Sequence, residues 1–342
     1  MVRTGIIGCG NIGRVHAEIL KHMEQVEIRA FTDKDKERAL CFASAYGTED
    51  TNSYTSLFEM LDNEELDVLH ICTPHFFHVP MAEEALAKKI HVFMEKPPAV
   101  SAEEFFSLKK AKEQSGKEVG ICFQNRYNET TEKIFEILKT KSLGNLKGAR
   151  AFVTWNRQAE YYETDDWRGK WATEGGGVLI NQAIHTLDLL TCFFGKADQV
   201  EASLQNHHLK GLIEVEDTIE AYLTFPSGSV CFYATNAYVE DAPVYLELVC
   251  EKGKIKMEGE SLEITGKNGE RIRYDFAAQE PWEGKKYWGS SHKRCIQDFY
   301  DSIEQGRAYR NNLESTENTF LLTMKLYDFI KDKRNKMGGQ CK

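Results

Sequence analysis

The segment Gly175–Leu190 combines three glycines with a following helix that is apolar over most of its surface. Asn181, His185 and Asp188 lie at positions i, i+4 and i+7 of that helix, which predicts a single polar stripe. An imidazole can accept a proton near neutral pH, so His185 is a candidate general base. The alternative is a buried polar network in which this histidine is only a satisfied core residue.

A second candidate is Lys96, in the sequence Glu95-Lys96-Pro97-Pro98 directly after an expected strand at 91–94. Ligands of doubly wound sheets bind beyond the carboxyl ends of the strands, so the lysine is expected near a bound cofactor. The two prolines restrict the backbone and fix the direction of the loop. The alternative is a solvated loop lysine beside a turn.

Residues Gly8–Gly13 have the pattern G-x-G-x-x-G between an expected strand and an expected helix. Such a turn lets a pyrophosphate approach the backbone and the helix N-terminus. Asp33 follows the second expected strand, where a carboxylate can accept hydrogen bonds from the adenosine ribose and repel a 2′-phosphate. This favours NAD over NADP, although Lys34 leaves room for some NADP tolerance. The alternative is that Asp33 only caps the next helix.

Aromatic and cationic residues crowd the stretch before the glycines. Aromatic faces suit the C–H faces of sugars, and guanidinium groups suit hydroxyls or carboxylates, although packing within a loop is an equally good explanation for any one of them. The residues of this stretch are Trp155, Arg157, Tyr161, Tyr162, Trp167, Arg168 and Trp171. A second cluster comprises Trp282, Tyr287 and Trp288.

The elements that position these residues change character along the chain. Strand and helix patterns alternate up to residue 123, which predicts a parallel sheet covered by helices. Beyond a helix at 130–141, strand patterns follow one another without helices between them, with turns at Pro226–Gly228 and Glu251–Gly253, which predicts a mainly antiparallel sheet. We therefore expect two domains, 1–123 for the cofactor and 124–342 for the substrate and for dimerisation.

Composition narrows the class of protein. The chain has 342 residues, a net charge of −10 and no long basic run, so neither nucleic acid nor an anionic membrane is an expected partner. No apolar run approaches the length of a membrane span. The nine cysteines include no C-x-x-C pair, which indicates free thiols in a reducing cytoplasm and no metal site.

Together, these motifs resemble the Gfo/Idh/MocA oxidoreductases, the family of glucose–fructose oxidoreductase and inositol dehydrogenase. The likeness is carried by Gly8–Gly13, Asp33, Thr73-Pro74 with His78, Glu95-Lys96-Pro97 and the segment Gly175–Asp188. It implies an N-terminal Rossmann domain and a C-terminal α+β domain with a large open sheet. Many members carry aspartate where this chain has Asn181, and Asn followed by Gln182 looks like a subgroup acting on sugars or sugar nucleotides.

The resemblance also implies roles for particular residues. Lys96 and His185 would form the catalytic pair. The residues expected to bind substrate are Asn181, Arg168, Tyr162, Gln182 and Trp167. Those expected to bind NAD are Gly8, Gly10, Asn11, Ile12, Gly13, Asp33, Thr73, Pro74, His78, Glu95, Lys96 and Asn125.

The expected activity is NAD-dependent interconversion of a ring hydroxyl and a ketone on a sugar, a sugar derivative or a cyclitol, in a homo-oligomer. One alternative retains NAD through a transient keto-sugar, so that the net reaction is glycoside cleavage. Another is a non-catalytic NAD sensor, which would not need Lys96 and the polar stripe together.

Overall fold

The computed structural model describes residues 1–164, 166–276 and 291–338, with side chains as far as Lys331. The chain divides into two compact units, one of Met1–Phe123 with His292–Thr316 and the other of Gln124–Ser291 with Glu317–Lys342. The sequence placed residues 292–316 in the second domain, whereas the structure places them in the first unit. The second aromatic cluster of the sequence, at 282–288, lies outside the described residues.

The first unit is built on a six-stranded parallel sheet in the order β3-β2-β1-β4-β5-β6. Its strands are β1 (Val2–Ile7), β2 (Val26–Thr32), β3 (Asn52–Tyr54), β4 (Val68–Ile71), β5 (His91–Met94) and β6 (Val119–Ile121). Its helices are α1 (Asn11–Lys21), α2 (Lys36–Tyr46), α3 (Leu57–Asn63), α4 (His78–Ala87), α5 (Ala102–Ser115) and α9 (His292–Gln305). The β2–β1–β4 order places a topological switch at the carboxyl end of β1, where ligands of such sheets bind.

Helix α9 joins the first unit through its apolar and aromatic side. Phe299 packs on Phe93 of β5, with 5.0 Å between the ring centroids. The Tyr300 hydroxyl lies 2.9 Å from the Thr4 hydroxyl of β1. Both aromatic side chains are buried, so α9 completes the core of the first unit. The sequence alone did not predict this, because α9 was assigned to the second domain from its position in the chain.

The second unit is built on an eight-stranded sheet in the order β14-β13-β12-β11-β7-β10-β9-β8, antiparallel except for the pair β7 and β10. Its strands are β7 (Leu146–Thr154), β8 (Gln199–Gln205), β9 (Thr218–Phe225), β10 (Gly228–Thr235), β11 (Tyr245–Cys250), β12 (Gly253–Glu258), β13 (Ser261–Gly266) and β14 (Arg271–Asp275). This confirms the expected fold class of a parallel sheet followed by a mainly antiparallel one.

The helices of the second unit are few. They comprise α6 (Glu129–Thr140), α7 (Ala159–Glu163) and α8 (Ile184–Phe194), which is preceded by a π-helical turn at Leu179–Ala183. The last helix, α10, runs from Leu313 to Gly338. None of the helices in the described part of the chain is both long and apolar enough to cross a membrane.

One face of the eight-stranded sheet carries an aromatic row. Phe152 of β7 lies between Tyr233 of β10 and Tyr245 of β11, with ring centroids 6.3 and 5.7 Å away. On the same face, Tyr222 of β9 is 52% exposed and pairs across the strands with Cys231 of β10, which is also exposed. Alternation along β9 sends Leu223 and Ile219 to the opposite, buried face.

Candidate active site

The glycine turn at Gly8–Gly13 is shaped by two close approaches of backbone. A Cβ atom on Gly8, which has a φ of +97°, would lie 2.5 Å from the Cys72 carbonyl oxygen. A Cβ atom on Gly13 would lie 2.0 Å from the Gly8 carbonyl oxygen. A Cβ atom on Gly10, by contrast, meets nothing within 4 Å. The turn therefore leaves open space at the N-terminus of α1, as a pyrophosphate requires.

Asp33 stands at the end of β2 and is tied to this turn. Its Oδ2 accepts a hydrogen bond of 2.8 Å from the Cys9 backbone amide, and its Oδ1 accepts one of 2.9 Å from Asp35. Helix α2 is capped by Asp35 instead, which accepts from the amides of Glu37 and Arg38. The capping alternative considered for Asp33 is therefore wrong, and its carboxylate is held against the glycine turn.

The loops after β4 and β5 are joined by His78, which is fully buried. Its Nδ1 lies 2.8 Å from the Pro97 carbonyl oxygen and its Nε2 lies 2.9 Å from that of Thr73. Burial lowers the pKa of His78, and the contacts with the two carbonyl oxygens oppose that shift. The contact fixes the backbone beside Lys96, which is half-buried at the carboxyl end of β5.

Glu95 turns into the core of the first unit and is only 7% exposed. Its Oε1 lies 3.1 Å from His16 Nε2, and His16 Nδ1 lies 2.9 Å from His70 Nδ1. His70 Nε2 in turn lies 2.9 Å from the Tyr300 hydroxyl. Burial raises the pKa of Glu95, but the hydrogen bond and charge of His16 outweigh it and hold that pKa far below its usual range. Glu95, assigned to the cofactor from the sequence, has its carboxylate engaged by the protein core.

The ligand atoms of His16, Glu95 and Cys122 all lie within 4.8 Å of one another. Burial raises the pKa of the Cys122 thiol well above its usual value, so this group stays protonated. Both ring nitrogens of His16 already face a partner. The trio therefore fits a hydrogen-bonded core better than a metal site, which needs a thiolate and an available imidazole nitrogen.

In the second unit, the residues expected to form one polar stripe, at 181, 185 and 188, lie in different environments. Asp188 is fully buried, and its carboxylate accepts bonds of 2.7 and 2.5 Å from Arg126 and one of 2.7 Å from the Thr319 hydroxyl. Asn181 belongs to the π-helical turn, which departs from the 3.6-residue period on which the stripe was predicted. Its Nδ2 donates to Glu174 Oε1 over 2.5 Å.

His185 differs from all its neighbours in sequence. From Glu174 to Thr191 every residue is buried except His185, which is half-buried. Within this stretch His185 is therefore the one titratable side chain with exposed surface, and the next is Cys192, which is also half-buried.

The aromatic stretch forms a layered cluster around Tyr161. The guanidinium carbon of Arg168 lies 4.4 Å from the centroid of the Tyr161 ring and 5.0 Å from that of Trp167. The Tyr161 hydroxyl accepts bonds of 3.3 Å from Asn181 Nδ2 and from Gln182 Nε2. Tyr161, Trp167 and Arg168 are half-buried, whereas Asn181 and Gln182 are 7% and 5% exposed. The partly exposed layer can contact a ligand, and the buried amides support it.

Sequence reasoning missed three members of this cluster. Asn236 Nδ2 donates to the Tyr162 hydroxyl over 3.1 Å and to Gln182 Oε1 over 3.0 Å. Glu174 and Glu216 are buried carboxyl groups on either side of the glycine segment. The available signals were weak: Asn236 follows directly on the last residue of β10, and Glu174 is an acid directly before three glycines.

The contacts of Glu216 account for the glycines at positions 176 and 177. Its Oε1 accepts bonds of 3.0 and 3.1 Å from the amides of Gly177 and Leu179, and one of 2.9 Å from the Tyr327 hydroxyl. A Cβ atom on Gly177 would lie 1.9 Å from the Glu216 carbonyl oxygen, and one on Gly176 would lie 2.0 Å from the Tyr327 hydroxyl. These glycines are therefore set by packing within the unit.

The remaining residues that the sequence assigns to the cofactor lie in α1, after β4 and in a short 3₁₀ turn. Asn11 is exposed and Ile12 half-buried in the first turn of α1, and Thr73 and Pro74 are half-buried after β4. Asn125 belongs to a short 3₁₀ turn at Gln124–Tyr127, and its buried Oδ1 has no hydrogen-bond partner among the described residues.

Comparison with known proteins identifies both parts of the chain. Residues 2–123 match the model of an oxidoreductase family with an NAD-binding Rossmann fold, and residues 131–256 match the GFO/IDH/MocA C-terminal domain. The chain is 25% identical to the WlbA dehydrogenase of Bordetella pertussis, whose structure contains NADH and UDP-GlcNAcA, with a TM-score of 0.84 and 97% of both chains covered.

Two curated relatives match over shorter stretches. A glycosyl hydrolase family 109 protein of Shewanella woodyi is 30% identical over 52% of this chain and 40% of its own length. Glucose-6-phosphate 3-dehydrogenase of Bacillus subtilis is 28% identical over 57% of this chain and 54% of its own length. The chain thus spans about half the length of these relatives or less. The two family matches, which follow each other in order, show that this chain belongs to the Gfo/Idh/MocA family and is an NAD-binding oxidoreductase of that type.

Proposed function

We propose that the protein interconverts a ring hydroxyl and a ketone on a sugar, a sugar derivative or a cyclitol, with NAD as the partner in hydride transfer. The observation that carries the proposal is the half-buried His185 within the otherwise buried stretch 174–191, in the same unit as a cluster of aromatic, guanidinium and amide groups. Such a cluster offers flat apolar faces and directed hydrogen bonds together, which is what a sugar ring needs.

His185 acts as the general base that takes the hydroxyl proton, and Lys96 donates a hydrogen bond to the same oxygen and stabilises its developing negative charge. Bound NAD supplies the hydride acceptor. Trp167 and Arg168 contact the substrate directly. Asn181 and Gln182 support that layer through the Tyr161 hydroxyl, and Tyr162 supports it through its ring contact with Tyr161. Lys96 is positioned by the His78 contact to Pro97.

For the cofactor, we assign the pyrophosphate to Gly8–Gly13 and the start of α1, and the adenosine ribose to Asp33. The open space at Gly10 and the fixed Asp33 carboxylate support this assignment. Asp33 favours NAD because a 2′-phosphate would bring a second negative charge against it. The loops at Thr73–Pro74 and Lys96, together with Asn125, are assigned to the nicotinamide end.

The experiment that tests the reaction is a panel of free sugars, aryl glycosides, uronates and nucleotide sugars incubated with the protein and NAD. Formation of NADH and of the keto-sugar in equal amounts is the expected result. Release of the aglycone without net NADH would favour the redox-neutral glycosidase, the alternative suggested by the glycosyl hydrolase family 109 relative. Tight NAD binding with neither product would favour an NAD sensor.

We also propose a homo-oligomer that pairs through the aromatic row of the eight-stranded sheet, in a reducing cytoplasm where the eight described cysteines stay free. Tyr222, Cys231 and the ring pair Phe152 and Tyr245 give this face apolar area at the surface. Tyr222→Lys is expected to shift sedimentation toward a smaller species. An unchanged sedimentation coefficient would place the interface elsewhere.

A further inference from the structure

Glu174 joins two segments of the candidate substrate site. Its side chain is nearly inaccessible, with 1% of the residue exposed. Its Oε1 accepts the 2.5 Å bond from Asn181 Nδ2, and its Oε2 accepts a 2.5 Å bond from the Gly169 backbone amide. One oxygen therefore holds the π-helical turn that precedes His185, and the other holds the loop that carries Trp167 and Arg168.

The carboxylate also decides which way the Asn181 amide points. A carboxylate can only accept hydrogen bonds, so it requires the amide nitrogen of Asn181 on its side. The second hydrogen of that nitrogen goes to the Tyr161 hydroxyl, 3.3 Å away. Because that hydroxyl accepts from both Asn181 and Gln182, its own hydrogen points away from the two amides.

A proton on Glu174 would reverse this arrangement. A proton on Oε1 makes that oxygen a donor, and the Asn181 amide then turns its oxygen toward it. Asn181 would stop donating through that nitrogen to Tyr161, and the donor and acceptor pattern of the cluster would change without any movement of the backbone.

The surroundings of Glu174 bring this change close to neutral pH. Burial raises the pKa of Glu174 to about 7, helped by the charge of Glu216 and opposed by Gly169, Asn181 and Arg168. The tyrosines that face it, namely Tyr161, Tyr162 and Tyr327, titrate far above this range because burial raises their pKa values.

On this geometry, and resting on the proposed function, we infer that Glu174 is a positioning residue of the substrate site, whose charged carboxylate orients Asn181 and the Trp167–Gly169 loop for substrate binding. It contacts neither substrate nor cofactor in this account. Substrate affinity should therefore be highest when Glu174 is ionised and should fall as pH falls below about 7, while NAD affinity should not follow the same curve.

The test compares Glu174→Gln with Glu163→Gln, a matched loss of one charge at an exposed position of α7. Glutamine can accept only one of the two bonds that Glu174 accepts, so the KM for the sugar is expected to rise about 10- to 100-fold above pH 7. The KM should also lose its dependence on pH near 7, with the NAD dissociation constant unchanged. Glu163→Gln should behave as wild type. A sugar KM and pH profile in Glu174→Gln that match wild type would overturn the inference, even where the wild type is an active dehydrogenase.

A second readout needs no turnover. The fluorescence of Trp167, taken as the difference between each protein and its Trp167→Phe counterpart, should change with a midpoint near pH 7 in the wild type and stay flat in Glu174→Gln. Burial raises the pKa of the neighbouring Glu216 to about 7 as well, so wild type and Glu174→Gln are also compared in a Glu216→Gln background. A midpoint retained in Glu174→Gln in that background overturns the positioning role. A titration lost in Glu174→Gln, in a protein that oxidises no sugar, supports the positioning role and refutes the proposed function. Should Glu174→Gln fail to fold, Glu174→Asp is measured instead; it keeps the charge on a shorter side chain and should shift the midpoint rather than abolish it.

Discussion

Glu95 in the first unit and Glu216 in the second are both buried carboxyl groups, yet their pKa values move in opposite directions. Glu95 faces the His16 ring across 3.1 Å, and its pKa falls far below the usual range. Glu216 accepts only from two amides and a tyrosine hydroxyl, its Oε2 has no hydrogen-bond partner among the described residues, and burial raises its pKa to about 7. Burial raises the pKa of both carboxyl groups, and the hydrogen-bond partner decides whether the group is nevertheless ionised at neutral pH.

The consequence for pH dependence differs in sign. The carboxyl of Glu216 binds its proton more tightly in the folded chain, so it lowers the free energy of unfolding as pH rises from about 4.5 to about 7. The carboxyl of Glu95 binds its proton less tightly when folded, so its contribution is present above about pH 4.5 and is lost as pH falls below that value. Glu95, which directly precedes Lys96, thus keeps its charge at neutral pH, whereas the charge of Glu216, beside Gly177 and Leu179, responds near neutral pH.

The largest expected effect comes from removing the partner of Glu95. His16→Leu leaves a buried carboxylate without its imidazole, which should lower the free energy of unfolding by about 3–5 kcal/mol near neutral pH, measured by urea denaturation. The double variant with Glu95→Gln should recover part of this loss, because no charge is left unpaired. A loss under about 1 kcal/mol in His16→Leu would mean that Glu95 is not held as a carboxylate.

The glycines of the two units should respond differently to alanine. A methyl group on Gly177 would meet the Glu216 carbonyl oxygen at 1.9 Å, so Gly177→Ala should lower the free energy of unfolding by about 2–3 kcal/mol. A methyl group on Gly10 meets nothing within 4 Å, so Gly10→Ala should stay within about 0.5 kcal/mol of wild type. Calorimetry should show weaker NAD binding for Gly10→Ala, because its methyl group occupies the space assigned to the pyrophosphate; equally tight binding would contradict that assignment.

Glu216→Gln removes the cost of a buried charge. The glutamine oxygen can still accept from Gly177 and Leu179, so the variant should be more stable than wild type by about 1–2 kcal/mol near pH 8 and by less near pH 5. Urea denaturation at the two pH values measures the difference. Equal stability at both would show that Glu216 does not titrate between them.

The smallest effect concerns Asn181→Asp. From the sequence alone, a carboxylate at 181 is expected to raise the pKa of His185. Glu174 Oε1 lies 2.5 Å from Asn181 Nδ2, so the new carboxyl would share a proton with Glu174, as close carboxyl pairs do. The limb of the pH–rate profile that reports His185 should therefore move by less than about one pH unit. A larger shift to higher pH would support the simpler expectation.

Local signals predicted much of this fold. The alternation of strands and helices up to residue 123 and the glycine turn were sufficient for the first sheet, and β5 (His91–Met94) was predicted with the observed limits. The short elements β3 and α3 were missed, because three- and seven-residue segments carry little periodicity. The role of α9 was missed as well, because its contacts with Thr4 and Phe93 are distant in sequence.

The site could be predicted only at the level of residue types. The roles of His185, Lys96 and Asp33 stay predictions: His185 was singled out by the helical spacing of polar residues, Lys96 by its place after a strand, and Asp33 by its distance from the glycines. The supporting groups Glu174, Glu216 and Asn236 were not found, since a buried carboxyl is indistinguishable from a surface one in a single sequence. The stripe at 181, 185 and 188 was misjudged because the π-helical turn breaks the assumed period.

The most direct test of the central claim is the rate of NADH formation in a single turnover, with NAD-saturated protein and the substrate found in the panel, for wild type, His185→Ala and Lys96→Ala. NAD binding by calorimetry serves as the control for folding. The account predicts that both variants keep NAD binding largely intact and that each loses about 10²- to 10⁴-fold in the rate of NADH formation. A near-normal rate in either variant would contradict the claim that this residue takes part in hydride transfer.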